Sequence, residues 1–248
     1  MADGLHKPAF YIPSLDGMRA LAFLTVFFSH AGLGHLIPGG LGVTVFFFIS
    51  GYLITSLLRR EHEATQTINF KYFFLRRIFR IWPAFYLVLF LGAGLTMLGL
   101  LQGEIKPLAF LSQCLHITNY YAIYFGDVGI TAGSGVYWSL GVEEHFYIAF
   151  PALYILLLKM KASPKQQMLV FLGLCAVVLI WRCTLVFGMG ASEFRTNYAS
   201  DTRIDSLLFG CALAVYANPM FESPLFSERT IKYCLLPVGL GLLAFSLL

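Results

Sequence analysis

Seven stretches of this chain are apolar for roughly the thickness of a lipid bilayer, and this limits the fold more than any other feature. A spanning helix needs about 20 mostly apolar residues. The stretches cover about 15–36, 41–58, 81–101, 136–158, 168–187 and 204–216, with a seventh that starts near 231 and is still apolar at Leu248. The Pro38-Gly39-Gly40 break ends the first, and Arg59, Arg60 and Glu61 end the second. The sixth is short and is expected to begin earlier or to tilt. Composition agrees: apolar types make up 58% of the 248 residues and charged types 12%, about half the charged fraction of a soluble chain. So few polar groups cannot cover a water-facing surface, and so apolar a chain is not a disordered one. In lipid, backbone groups must be satisfied within the segment, which favours helices for runs of this length. The expected fold is all-α, a multispanning transmembrane bundle of about seven helices.

The cations set the sidedness. Arg59, Arg60, Lys71, Arg76, Arg77 and Arg80 lie between the second and third spans, and Lys159, Lys161 and Lys165 between the fourth and fifth. Cationic loops stay in the cytoplasm. The N-terminus, with Lys7, is then cytoplasmic, and 102–135 and 188–203 face outward, the part 108–117 being a candidate re-entrant or interfacial piece. The first stretch carries Asp16 and Arg19 and no small-residue cleavage site, so it is read as a span, not a signal peptide. The five cysteines form no CxxC pair and no metal spacing, and no metal is expected. The net charge of +4 has no soluble basic domain to carry it, so nucleic acid is not an expected partner. The apolar run reaching Leu248 suggests a shortened version of a longer chain, within a single membrane domain over 1–248.

Charges within spans usually face the bundle interior and mark function. The first span holds Asp16, Arg19 and His30. Arg19 and His30 fall on one stripe roughly 16 Å apart along an ideal helix, with Asp16 within about 40° of His30. This suits a general-base histidine above a paired mouth; it equally suits a helix-end charge, a snorkelling arginine and an interhelix strut. Arg76, Arg77 and Arg80 share one face of an expected cytoplasmic interfacial helix, able to bind phosphate by guanidinium forks or to anchor on anionic lipid. In the fourth span Glu143 and Glu144 adjoin, and Ser139, Glu143 and Tyr147 follow at i, i+4 spacing. Adjacent buried carboxylates need an organised polar surrounding. In 201–205, Thr202 and Asp205 fit a capping pattern, which leaves Arg203 as a cation on the outward side. Ser50, in the glycine-rich 39–51 block, is read as packing, since no G-x-S-x-G elbow surrounds it.

Five ordered blocks together resemble the type-3 acyltransferases, bacterial integral membrane O-acyltransferases. They are Ser14-Leu15-Asp16-Gly17-Met18-Arg19 with His30; Gly42 to Leu53 with Phe46-Phe47 and Ser50-Gly51; Arg77-x-x-Arg80 with Trp82-Pro83; Trp138-Ser139-Leu140 with Glu143-Glu144 and Phe146-Tyr147; and Thr202-Arg203-x-Asp205-x-Leu207-x-x-Gly210. The resemblance implies transfer of an acyl group, usually acetyl, from cytoplasmic acetyl-CoA to a hydroxyl of an extracytoplasmic carbohydrate or lipid-linked sugar, in the bacterial cytoplasmic (inner) membrane. It implies His30 as the catalytic base with Arg19 and Asp16 in its motif, and Arg76, Arg77 and Arg80 on the CoA phosphates. Glu143 or Glu144, with Ser139, Tyr147, Arg203 and Asp205, would line the transfer or acceptor cavity. Members of the family usually have about ten spans, against seven here. A proton-coupled transporter is the alternative from the ionisable residues alone, although no inverted repeat supports it. An inactive shortened chain acting as a scaffold is the third reading.

Overall fold

The computed structural model describes residues 13–245, and every regular element among them is helical. The elements are α1 (Pro13–Phe28), α2 (Gly39–Thr65), α3 (Phe70–Met97), α4 (Pro107–Cys114), α5 (Thr118–Phe125), α6 (Tyr137–Lys159), α7 (Pro164–Cys183), α8 (Glu193–Tyr198), α9 (Ser200–Val215), α10 (Glu228–Thr230) and α11 (Leu236–Phe245). Wider π turns continue α1 over Ser29–Leu33 and α7 over Thr184–Gly188, and another, Ile231–Leu235, joins α10 to α11. Among the described residues, four helices are long and apolar enough to cross a membrane: α2, α3, α6 and α7 with its π turn. The chain is thus an all-α, multi-pass membrane protein. Lys7 lies outside the described residues.

Local sequence explains the boundaries. Asn69 starts α3 by accepting the Tyr72 N–H, and Ser163 starts α7 in a reciprocal capping box with Gln166. The cationic run 76–80 belongs to α3 itself and not to a separate interfacial helix, because nothing between Phe70 and Ile81 breaks the helix. Pro83 and Pro151 lie inside α3 and α6, where apolar surroundings favour unbroken helix despite one missing N–H each. In α9 the expected cap at Thr202 does not form. The helix begins two residues earlier, at Ser200, and the buried Thr202 hydroxyl donates to the Ala199 carbonyl at 3.0 Å.

The chain divides into two compact units, Met1–Ile49 with Pro224–Leu248, and Ser50–Ser223. In the first, Gly42 of α2 lies against the Ala22 carbonyl and Thr25 of α1, space that a Cβ would occupy. In the second, Gly51 meets the Leu207 backbone so closely that a Cβ there would overlap it. Glycine permits such backbone approach.

The second unit holds a fully bonded polar cluster where α2 meets the end of α9. Asn218 Oδ1 accepts from the Tyr52 hydroxyl at 2.7 Å and the Met220 N–H at 3.1 Å; its Nδ2 donates to Ser56 Oγ and the Ala214 carbonyl. All four bonding positions of the amide are used. Arg59 donates to the Ala214 and Val215 carbonyls and pairs with Glu63 at 2.9 Å and Glu222 at 2.8 Å. It thereby satisfies carbonyls that the end of α9 leaves open.

Candidate active site

Three helices of the second unit converge on the acidic pair. Ser50 of α2 donates to Glu143 Oε1 of α6 at 2.6 Å. One turn along α6, the buried Tyr147 hydroxyl lies within reach of both Ser50 and Glu143. Arg77 of α3 lays its guanidinium over the Tyr147 ring, 4.6 Å from the centroid, a geometry that favours a cation. Glu144 faces Arg77 and the Trp82 indole of α3. The i, i+4 relation of Glu143 and Tyr147 therefore holds as a shared polar face. Ser139, one turn earlier, turns its hydroxyl to the Val136 carbonyl at 3.0 Å.

The arginines of α3 diverge. Arg76 pairs with Glu61 at 3.0 Å on the exposed side, whereas Arg77 turns to α6. Arg80 is exposed. Near the start of α3, a cavity of about 420 Å³ is lined by His62, Gln66, Thr67, Phe70 and Lys159 among others.

The α4–α5 hairpin reaches deep into this unit. His116 is its turn residue, in the left-handed backbone region at φ 57° and only 8% exposed. Its ring packs on Phe85 at 4.3 Å and on Trp82 at 5.7 Å between centroids, and on Tyr86 at 5.9 Å. Those contacts fall 12 to 16 residues into α3, roughly 18–24 Å along it and near its middle. The 108–117 stretch thus belongs to a pair of short helices whose tip packs at the middle of α3. Gly141 of α6 makes the room: a Cβ there would come within 2.7 Å of the His116 carbonyl and 3.1 Å of Asn119 Oδ1. Gln113 fixes the hairpin base through Thr131 and Ser134. Ser200 ties its far side, 2.7 Å from His145 Nδ1 and accepting from Asn119 Nδ2 at 3.1 Å.

The late motif is held by ion pairs. Asp205 binds Arg182 of α7, which also donates to the Thr202 carbonyl, and Arg203 lies near both. Asp201, in the turn ahead of the predicted sixth span, is gripped by Arg195 of α8 through two bonds of 3.0 and 2.6 Å and by the Trp181 indole. Burial pushes the Asp201 carboxyl up, but Arg195 and Trp181 outweigh it and hold it below the usual carboxylate range.

In the first unit, Asp16 and Arg19 form the expected i, i+3 pair at 3.6 Å. His30 lies in the π turn, exposed, its Nδ1 2.8 Å from the Val26 carbonyl. A carbonyl only accepts, so in this contact Nδ1 carries the proton and the neutral ring keeps its lone pair on Nε2.

Sequence reasoning missed Ser50 as a partner of Glu143, and it missed Arg182 and His116. Arg182 could have been found by the argument applied to Arg203, since it is another cation at an outward span end. The signal for His116 is a histidine inside the apolar 108–125 stretch.

The profile of the acyltransferase domain matches residues 12–248, and the chain belongs to this family, the type-3 acyltransferases. It is 33% identical to the peptidoglycan O-acetyltransferase OatA of Listeria monocytogenes over 82% of this chain and 34% of that protein. It is 34% identical to a Bacillus subtilis protein named as a candidate peptidoglycan O-acetyltransferase, YrhL, over 83% of this chain and 33% of that one. A Staphylococcus aureus protein named as a candidate O-acetyltransferase is 32% identical over 94% of this chain and 39% of its own length. The chain spans about a third of the length of these curated relatives. No solved structure matches it.

Proposed function

We propose that this chain is the membrane part of an O-acetyltransferase in the bacterial cytoplasmic membrane. It moves an acetyl group from cytoplasmic acetyl-CoA to a hydroxyl of a carbohydrate acceptor across the membrane, its N-terminus being cytoplasmic. The family supports acyl transfer, and the names of the relatives support acetyl as the group and a peptidoglycan glycan as the acceptor class. The observation that carries the reading is the meeting of Arg77 from the cationic start of α3 with Ser50, Glu143, Glu144 and Tyr147 inside the unit. It gives a polar site reached along α3 from the basic end.

In the reaction, the acceptor hydroxyl attacks the thioester carbonyl carbon. The ester C–O bond forms, the C–S bond breaks, and CoA leaves as the thiolate. His30 takes the hydroxyl proton on Nε2, its Nδ1–H held by the Val26 carbonyl. Asp16 holds Arg19 in the same helix. Arg80 and Arg76, both exposed on α3, suit the phosphates of the donor, Arg76 by exchanging Glu61 for phosphate. Arg203 and Asp205 line the acceptor side. Lipid-linked sugars present the same hydroxyl chemistry, and membrane lipid surrounds the bundle.

The test is CoA release from acetyl-CoA by membranes containing the chain. General-base help is typically worth about 10²–10⁴-fold, so His30→Ala lowers turnover by about that factor, and Arg80→Ala raises the donor KM. Equal turnover by His30→Ala would remove the base from the account.

A further inference from the structure

Buried side-chain polar groups normally have a hydrogen-bond partner, and each exception needs a reason. Among the described residues, six of the eight such atoms gather at the hairpin tip and the helices it meets, the other two lying in guanidinium groups at the late motif. They are both ring nitrogens of His116, Thr118 Oγ1 and Asn119 Oδ1, with Trp82 Nε1 and Glu144 Oε1 facing each other beside them. His116 is more than nine-tenths buried, and Thr118 and Asn119 are 2% and 0% exposed. These residues share one neighbourhood. Trp82 stacks with His116 and faces Glu144, the His116 carbonyl and Asn119 Oδ1 both lie at Gly141, and Glu144 follows Gly141 by one helical turn.

Their chemistry narrows the ligand. Trp82 Nε1 only donates, and an ionised Glu144 and Asn119 Oδ1 only accept; the His116 ring and the Thr118 hydroxyl can do both. No cation stands among the atoms at the tip itself, the nearest being Arg77 beyond Glu144, so the tip does not suit phosphate. Groups that both donate and accept, set among aromatic faces, match it: the hydroxyls of a sugar. We propose that the tip of the α4–α5 hairpin, with His116 at its centre and Trp82 and Glu144 beside it, is a binding subsite for hydroxyls of the carbohydrate acceptor. The inference rests on the acetyltransferase reading and adds the place where that acceptor is held. The tip meets α3 five or more residues beyond Arg77, a distance of roughly 8–14 Å along the helix, so donor and acceptor approach the acidic pair from opposite directions along α3.

The experiment measures two reactions in membranes carrying the chain: acetyl-CoA hydrolysis without acceptor, and acetyl transfer to uncross-linked peptidoglycan glycan strands. His116→Phe keeps an aromatic ring among Trp82 and Phe85 but removes both nitrogens, and Trp82→Phe keeps a smaller aromatic ring without the indole N–H. The expected result is a KM for the strands several-fold higher in Trp82→Phe and at least tenfold higher in His116→Phe, with acceptor-free hydrolysis in His116→Phe within twofold of wild type. An unchanged strand KM in both variants would overturn the subsite, the tip then holding only water. An equal fall in hydrolysis and transfer would overturn it too, as a purely structural role. Wild-type membranes that leave acetyl-CoA intact would instead overturn the acetyltransferase reading beneath it.

Discussion

Two buried polar regions of the second unit stand in contrast. Where α2 meets the end of α9, Asn218 uses every bonding position and Arg59 gathers two carbonyls and two carboxylates. At the hairpin tip, the His116 ring, also buried, uses neither nitrogen, and Thr118 and Asn119 keep orphaned oxygens beside it. A satisfied network rigidifies a fold, whereas an unsatisfied one costs stability unless something else supplies the bonds. The first region is built to hold helices together and the second to meet a polar ligand. Substitutions in the first should register in stability, and those in the second in turnover.

The largest effect belongs to Gly51→Ala, whose Cβ would overlap the Leu207 backbone. Backbone cannot swing aside, so the loss is about 3 kcal/mol, the upper end for overpacking. Thermal unfolding in detergent measures it, and an unmoved midpoint would refute the close α2–α9 approach. Asn218→Ala comes next, at about 2 kcal/mol, because the Tyr52 and Ser56 hydroxyls lose their shared partner in a buried place; Tyr52→Phe combined with it should recover part of that loss. At the tip the pattern reverses. His116→Phe should leave the unfolding midpoint level or higher while transfer to acceptor falls about tenfold, and a marked loss of stability would erase the contrast between the regions.

The smallest effect is electrostatic. The Asp201 carboxyl is held low in the folded protein, so its contribution is present above the unfolded value of about 4 and is lost as pH falls through the lower folded value. Arg195→Gln should therefore cost at most about 1 kcal/mol near neutral pH, the pair being partly exposed. The gap to wild type should close below about pH 4. A gap that widened in acid would reverse the sign assigned to this pair.

Much of the frame was legible because lipid imposes a simple rule: long apolar runs become helices. The four long helices lie where the apolar runs predict them, and the acidic helix begins within one residue of its expected start. The start of α3 was not legible, since a hydropathy window drops the Arg-rich turns that the backbone continues through. The site was legible in its charged members. Glu143 and Tyr147 share a face as their spacing predicts, but the Ser50 hydroxyl beside them looked like glycine-block packing, because its partner lies 93 residues away. Arg76 and Arg77 looked like one cationic face; adjacent side chains point about 100° apart, and each found a different helix. His116 carried no motif at all, and its burial depends on Gly141 of a distant helix opening a place for the hairpin.

The most direct test of the central claim is acetate ester formation on glycan strands by membranes given acetyl-CoA, comparing wild type with His30→Ala and Glu143→Gln. Esterified strands from wild type, reduced about a hundredfold or more in His30→Ala and at least tenfold in Glu143→Gln, are the predicted result. Equal ester formation by all three chains, or none from correctly inserted wild type, would contradict it.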